Sequence, residues 1–221
     1  MNYLLVSHGN RILFFLQKYF SSSYEKHLGN GAVILLTMKR KYTTVEMLYP
    51  GYAPTNNFFQ CKTFFKSSIP TKALTKCYIY RTTCFYIVRH GIAEHNVIKT
   101  PTILFRKDTH LVPSGKRALR KSIAYLPKKF NGVFCSPLVR TRQTAEVLLK
   151  NYPNRTINIV PSASEILFRY FPFINVNPNY PDQMNHNFPK GYYIQWQEVQ
   201  RKKNMIDEIL NALRKKKSKQ N

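Results

Sequence analysis

Cys135-Ser136-Pro137-Leu138-Val139-Arg140-Thr141-Arg142-Gln143-Thr144-Ala145 closes one short apolar run and opens a longer helical one. Residues 132–135 read as a strand and residues 138–150 as a helix. A strand end that feeds a helix is a natural anion site, because the first N–H groups of the helix have no intrahelical acceptor. The hydroxyls of this stretch and the guanidinium fork of Arg140 suit the same kind of ligand.

The pattern repeats upstream. Residues 84–88 form an apolar strand that ends on Arg89-His90-Gly91, with Asn96 six residues beyond the histidine. Open α/β sheets bind ligands outside the carboxyl ends of their strands, which is where His90 falls. Gly91 lets the backbone come close to a ligand there. Between the two stretches, residues 114–126 read as a helix with Ser114 as N-cap. Residues 157–160 add another strand. Short strands alternating with helices predict an α/β fold, a three-layer α/β/α sandwich with a mostly parallel central sheet.

At the front of the chain, residues 3–7 read as a strand running into His8-Gly9-Asn10. A buried helix over 12–20 follows, then strands over 32–38 and 42–49. Residues 50–80 hold Pro50-Gly51, Pro54, Asn56-Asn57 and Pro70 without sustained periodicity and read as a linker. Residues 171–191 are irregular. Residues 193–215 form a last helix, with Ile206, Ile209, Leu210 and Leu213 at helical spacing, and a basic tail spans 216–221.

Taken together, Arg89-His90-Gly91 with Asn96 and Ser136-Pro137-Leu138-x-Arg140-x-x-Gln143-Thr144-Ala145 resemble the two leading motifs of the histidine phosphatase (phosphoglycerate mutase-like) superfamily, in order and in spacing. The superfamily's second histidine normally lies near the C-terminus, on a strand of the type apolar-apolar-Val-Ser-His-Gly. Nothing after Glu165 supplies it, since His186 sits in an Asn/Pro-rich stretch. Leu4-Leu5-Val6-Ser7-His8-Gly9 matches it at the opposite end of the chain. The resemblance therefore implies a circular permutation within one domain. Residues 1–49 are the displaced C-terminal segment, 50–80 the linker and 81–215 the leading and middle parts of the fold. Permutation is tolerated where termini are close and exposed. Its rival is a fragment of a duplication, in which His8 completes another molecule's site.

The resemblance implies a chemistry. His90 is the nucleophile, Arg89, Asn96, Arg140 and Gly9 bind the phosphate, and His8 completes the pocket. Glu165 is the acid/base, with Glu94 as the alternative proton donor. No metal and no cofactor is required. The substrate is a small phosphorylated molecule. The leading activity is phosphomonoester hydrolysis, with a phosphomutase and a weak phosphate-binding protein as alternatives. Read singly, Arg142, His95 and His110 are surface residues, and Tyr192, Tyr193 and Trp196 belong to core or rim.

Composition sets the bounds. The 221 residues, 43% hydrophobic, exclude wholesale disorder. Lys and Arg number 35 against 10 Asp and Glu, a formal charge of +25. Such a surface attracts polyanions, so nucleic acid is a possible partner through non-specific charge. No zinc finger or RNA-recognition signature accompanies the charge. Cys61, Cys77, Cys84 and Cys135 show no paired spacing and fit a reducing compartment. Ser7-His8-Gly9 interrupts the first apolar run, which predicts an unexported, cytoplasmic protein without membrane attachment. The oligomeric state is open.

Overall fold

Tyr3, Leu4, Leu5 and Val6 show no polar–apolar alternation, the mark of a strand covered on both faces. They form β1 (Asn2–Ser7), which lies between β5 (Thr83–Arg89) and β6 (Gly132–Cys135) and is parallel to both. The structure, a computed structural model, describes residues 1–20, 28–52, 65–97, 109–150, 152, 156–165 and 203–218.

Around β1 stand, in chain order, α1 (Gly9–Phe20), β2 (Val33–Met38), β3 (Tyr42–Tyr49), β4 (Lys66–Pro70), α2 (Thr71–Leu74), α3 (Glu94–Val97), α4 (Pro113–Ile123), α5 (Val139–Leu148), β7 (Ile157–Ile159), a 3-10 turn (Pro161–Ala163) and α6 (Met205–Ser218). The seven strands follow the order β4-β3-β2-β5-β1-β6-β7. From β5 to β7 the neighbours are parallel, and β2, β3 and β4 join by antiparallel pairing, so the sheet is mixed. The short turn at residues 39–41 fixes β2 and β3 as antiparallel neighbours, because a tight hairpin can join only antiparallel strands.

The three layers follow from the side-chain alternation of β1. Tyr3 and Leu5 pack with Ile12, Phe15 and Leu16 of α1 and with Ile206 and Ile209 of α6. Leu4 and Val6 pack on the other face with Leu119 of α4 and with Ala145 and Leu148 of α5. Each such burial contributes roughly 1.5–3 kcal/mol before chain entropy is charged against it. A one-residue slip of β1 would exchange the two sets, so its register is tightly specified.

The structure departs from the sequence reading in several places. The 50–80 stretch holds a strand and a short helix, β4 and α2; residues 53–64 lie outside the described residues. β4 escapes the periodicity test because it is an edge strand of five residues, Lys-Ser-Ser-Ile-Pro, with one large apolar side chain. Ser114 does not cap α4: Val112 is the extended N-cap residue, without a side-chain cap, and Pro113 opens the helix. Proline's fixed φ suits that first position. The last helix runs through Ser218, so Lys216 and Lys217 are helical, and its expected start at 193–202 lies outside the described residues, as does 171–191. No helix among the described residues is long and apolar enough to cross a membrane.

Candidate active site

Three neighbouring strands deliver the polar core of the site at their carboxyl ends. Ser7 of β1 pairs with Arg89 of β5, so the next residues, His8 and His90, leave the sheet side by side. Their ring centroids are 5.2 Å apart, edge to face. Both are buried. On the other side of β1, β6 ends at Cys135, and Ser136 Oγ lies 2.8 Å from His8 Nε2. His90 Nδ1 lies 2.7 Å from the Gly91 carbonyl oxygen. A carbonyl can only accept, so Nδ1 carries the proton and Nε2 of the neutral ring keeps its lone pair.

Charge comes from two further elements. Arg140, in the first turn of α5, donates through Nη2 to Glu165 Oε2, just past the 3-10 turn. The same oxygen is 3.6 Å from His8 Nδ1. Ser7 Oγ donates to the Ala163 carbonyl at 2.6 Å and ties that turn to β1. Arg89 turns back across Gly9 and donates through Nη1 to the Leu28 carbonyl. A Cβ on Gly9 would lie 3.1 Å from Arg89 Nε, so the guanidinium packs closely over this glycine. Burial, then Arg140, then the neighbouring rings hold His8 well below the usual imidazole range; burial, then Arg140 and Arg89, do the same to His90. Burial lowers Arg89 to about 10, which leaves it protonated at neutral pH.

The loop after His90 is held by Asn30, which carries no sequence signal, and by Asn96 and Thr144 of the two motifs. Asn30 Nδ2 lies 3.2 Å from the carbonyl oxygens of His90 and Gly91 and from Asn96 Oδ1. Asn96 Oδ1 also accepts from Ala93 N at 3.0 Å, so this oxygen shapes the loop. Gly91 N donates to Thr144 Oγ1 at 3.0 Å. A Cβ on Gly91 would meet Leu119 Cδ1 at 2.9 Å, so the close neighbour of this glycine is a core leucine that a side chain here would have to displace.

His95 corrects the sequence reading. It is not a surface residue: its ring centroid is 5.7 Å from that of His90, and its Nδ1 is 2.5 Å from the buried Thr109 hydroxyl. Burial and then Arg140 push its pKa down to about 4. The short helix α3 turns it inward, and no three-residue motif announces that. His110 is exposed, as expected, and Arg142 is half-buried. Glu94 Oε2 accepts from His110 N at 3.4 Å, on the flank of the loop. Glu165 is the carboxylate that reaches His8 and Arg140. Cys135 is buried, its thiol pushed up to about 12. Among the described residues no cluster of His, Cys, Asp or Glu has the arrangement to hold a metal ion. Trp196, Tyr192, Tyr193 and His186 lie outside the described residues.

Paired imidazoles, two guanidinium groups and a carboxylate at the carboxyl ends of parallel strands define an anion-handling α/β protein. The family model described as histidine phosphatase superfamily (branch 1) matches residues 85–219, more than half of the chain. The chain belongs to the histidine phosphatase superfamily, and membership supports phosphoryl transfer as its general chemistry. No curated protein and no solved structure matches it. His90, Arg140 and Glu165 fall within the matched residues, whereas β1 and His8 do not.

Proposed function

We propose that the protein is a phosphomonoesterase that hydrolyses a small phosphorylated molecule through a phosphohistidine on His90. The observation that carries this reading is the juxtaposition of His8 and His90 at adjacent parallel strand ends, with Arg89, Arg140 and Glu165 around them. His90 Nε2 attacks phosphorus in line as the ester P–O bond breaks. Its lone pair is available at neutral pH because burial and the two arginines keep the ring unprotonated. Arg89, Arg140 and His8 stabilise the equatorial oxygens, and the amino-terminal end of α1, beginning at Gly9, adds the fixed partial positive charge of a helix N-terminus.

Glu165 supplies the proton that the leaving alkoxide needs. Its carboxylate is paired with Arg140. An incoming phosphate dianion competes for that guanidinium and so releases the carboxyl group to face the leaving oxygen. After the alcohol departs, the carboxylate takes a proton from water as water attacks the phosphohistidine. Inorganic phosphate leaves and His90 is regenerated.

Circular permutation is part of this reading. It is supported by β1, which lies outside the family match and yet fills the centre of the sheet and brings His8 to His90 within one chain.

The test is a rapid-quench experiment with a radiolabelled phosphomonoester, stopped in alkali. Acid-labile label on His90, with release of inorganic phosphate, is the expected result. Label returned to an isomeric product would make the protein a mutase. No label on the wild type, with phosphate bound equally by His90→Ala, would leave a phosphate-binding protein and overturn the enzyme reading.

A further inference from the structure

The formal charge of +25 is not accounted for by two arginines in one site. At the end of the sheet opposite His8 and His90, the chain gathers a second cationic surface. Met38 at the end of β2 pairs with Thr83 at the start of β5, and the Met1 ammonium donates to the Thr82 carbonyl at 2.7 Å. The turn Lys39-Arg40-Lys41-Tyr42, the segment Lys76 to Thr83 and the last turns of α6 therefore meet at one pole. β1, about 20 Å long, separates this pole from the histidines. These three stretches contain Lys39, Arg40, Lys41, Lys76, Arg81 and Arg214 and no Asp or Glu.

Aromatic rings concentrate at the same place. Of the seven large hydrophobic residues exposed among the described residues, four are Met1, Tyr42, Tyr78 and Tyr80, and Tyr80 is 85% exposed. A cation lies over two of the rings: Lys39 Nζ is 5.2 Å from the Tyr42 centroid and Arg40 Cζ 5.3 Å from that of Tyr78. Tyr78 and Tyr80 stand edge to face with centroids 4.5 Å apart. Beside them opens a cavity of about 360 Å³, lined by both tyrosines, Ile79, Leu210, Arg81 and Arg214. That volume is within the range of small-ligand sites.

We propose that this pole binds single-stranded nucleic acid, with bases stacked on Tyr78 and Tyr80 and phosphates met by Arg81, Arg214 and the 39–41 turn. Exposed ring faces interleaved with cations are what a strand without base pairing offers its bases and phosphates to. An anionic bilayer fits less well, because such surfaces push apolar side chains outward. Here Ile79 and Leu210 are recessed at 6% and 8% exposure.

The test is fluorescence polarisation with a labelled oligouridylate of about 12 nucleotides across a salt series, with uridine monophosphate and anionic vesicles as competitors. The wild type is expected to bind with salt-dependent affinity. Tyr80→Ala should weaken binding at least about 5-fold, and Tyr78→Ala/Tyr80→Ala by about 30-fold or more. Arg214→Gln should flatten the salt dependence by about one phosphate contact. Hydrolysis of p-nitrophenyl phosphate should be unchanged in Tyr80→Ala, whose exposed ring the fold does not need. Equal affinity of wild type and Tyr80→Ala would overturn the proposal. So would competition by vesicles but not by unlabelled oligonucleotide, or full competition by the mononucleotide at equal phosphate concentration.

Discussion

Acidification should destabilise the protein through His95, and the size of the effect follows from its surroundings. His95 faces His90 at the end of β5 and senses Arg140 on α5, Arg89 on β5 and Glu165 after the 3-10 turn; Glu94, on its own helix, bonds back to His110. Burial and Arg140 outweigh Glu165 and bring its pKa from 6.5 to about 4. A depressed histidine is neutral in the native state while the unfolded chain binds the proton. Its contribution is therefore harmless above about pH 6.5 and grows as the pH falls toward about 4. At about 1.4 kcal/mol per pH unit, the loss is about 2 kcal/mol by pH 5 and about 3 kcal/mol by pH 4. His95→Asn can keep the hydrogen bond to Thr109 Oγ1 but cannot titrate. Urea unfolding of both proteins at pH 7.5, 6 and 5 isolates the difference, because the loads of His8 and His90 largely cancel. The wild type should lose about 2 kcal/mol more than the variant between pH 7.5 and pH 5. A gap between the two proteins that does not change with pH would refute the reasoning, as would a His95 ring resonance titrating near 6.5.

Three other outcomes are expected. Glu165→Gln should slow hydrolysis of alkyl phosphates by about 100-fold or more, and that of p-nitrophenyl phosphate far less, because nitrophenolate leaves without a proton; equal slowing of both would remove Glu165 from the acid role. Ser136→Ala strips His8 Nε2 of its 2.8 Å partner in a buried setting and should cost about 1–3 kcal/mol in urea unfolding. Gly115→Ala would put a Cβ 2.2 Å from the Ile92 carbonyl oxygen, a backbone atom that cannot move alone. It should destabilise by about 1–3 kcal/mol and lower turnover by shifting the 90–96 loop, and a fully active, equally stable variant would show that α4 does not set this loop.

The sequence by itself determined the class of fold and singled out most of the residues that the structure brings together at the candidate site. Apolar runs ending on Ser7-His8, Arg89-His90 and Cys135-Ser136 are local signals, and each survives as a strand end in the sheet. The likeness of Leu4-Leu5-Val6-Ser7-His8-Gly9 to a strand that the family normally carries near its C-terminus is a feature of the sequence alone, and the permutation built on it belongs to the proposed function. Tertiary structure alone decided which of these ends touch. Ser7 pairs with Arg89 and Val6 with Cys135 through hydrogen bonds between segments far apart in the chain, and no local periodicity encodes such pairings. The same limit explains Asn30 and His95. Their roles arise from loops folded against His90 by Gly31, Thr109 and Leu119, contacts that exist only once the sheet has closed. It also explains β4, which has too few apolar side chains to announce itself and becomes a strand because β3 offers it an unpaired edge.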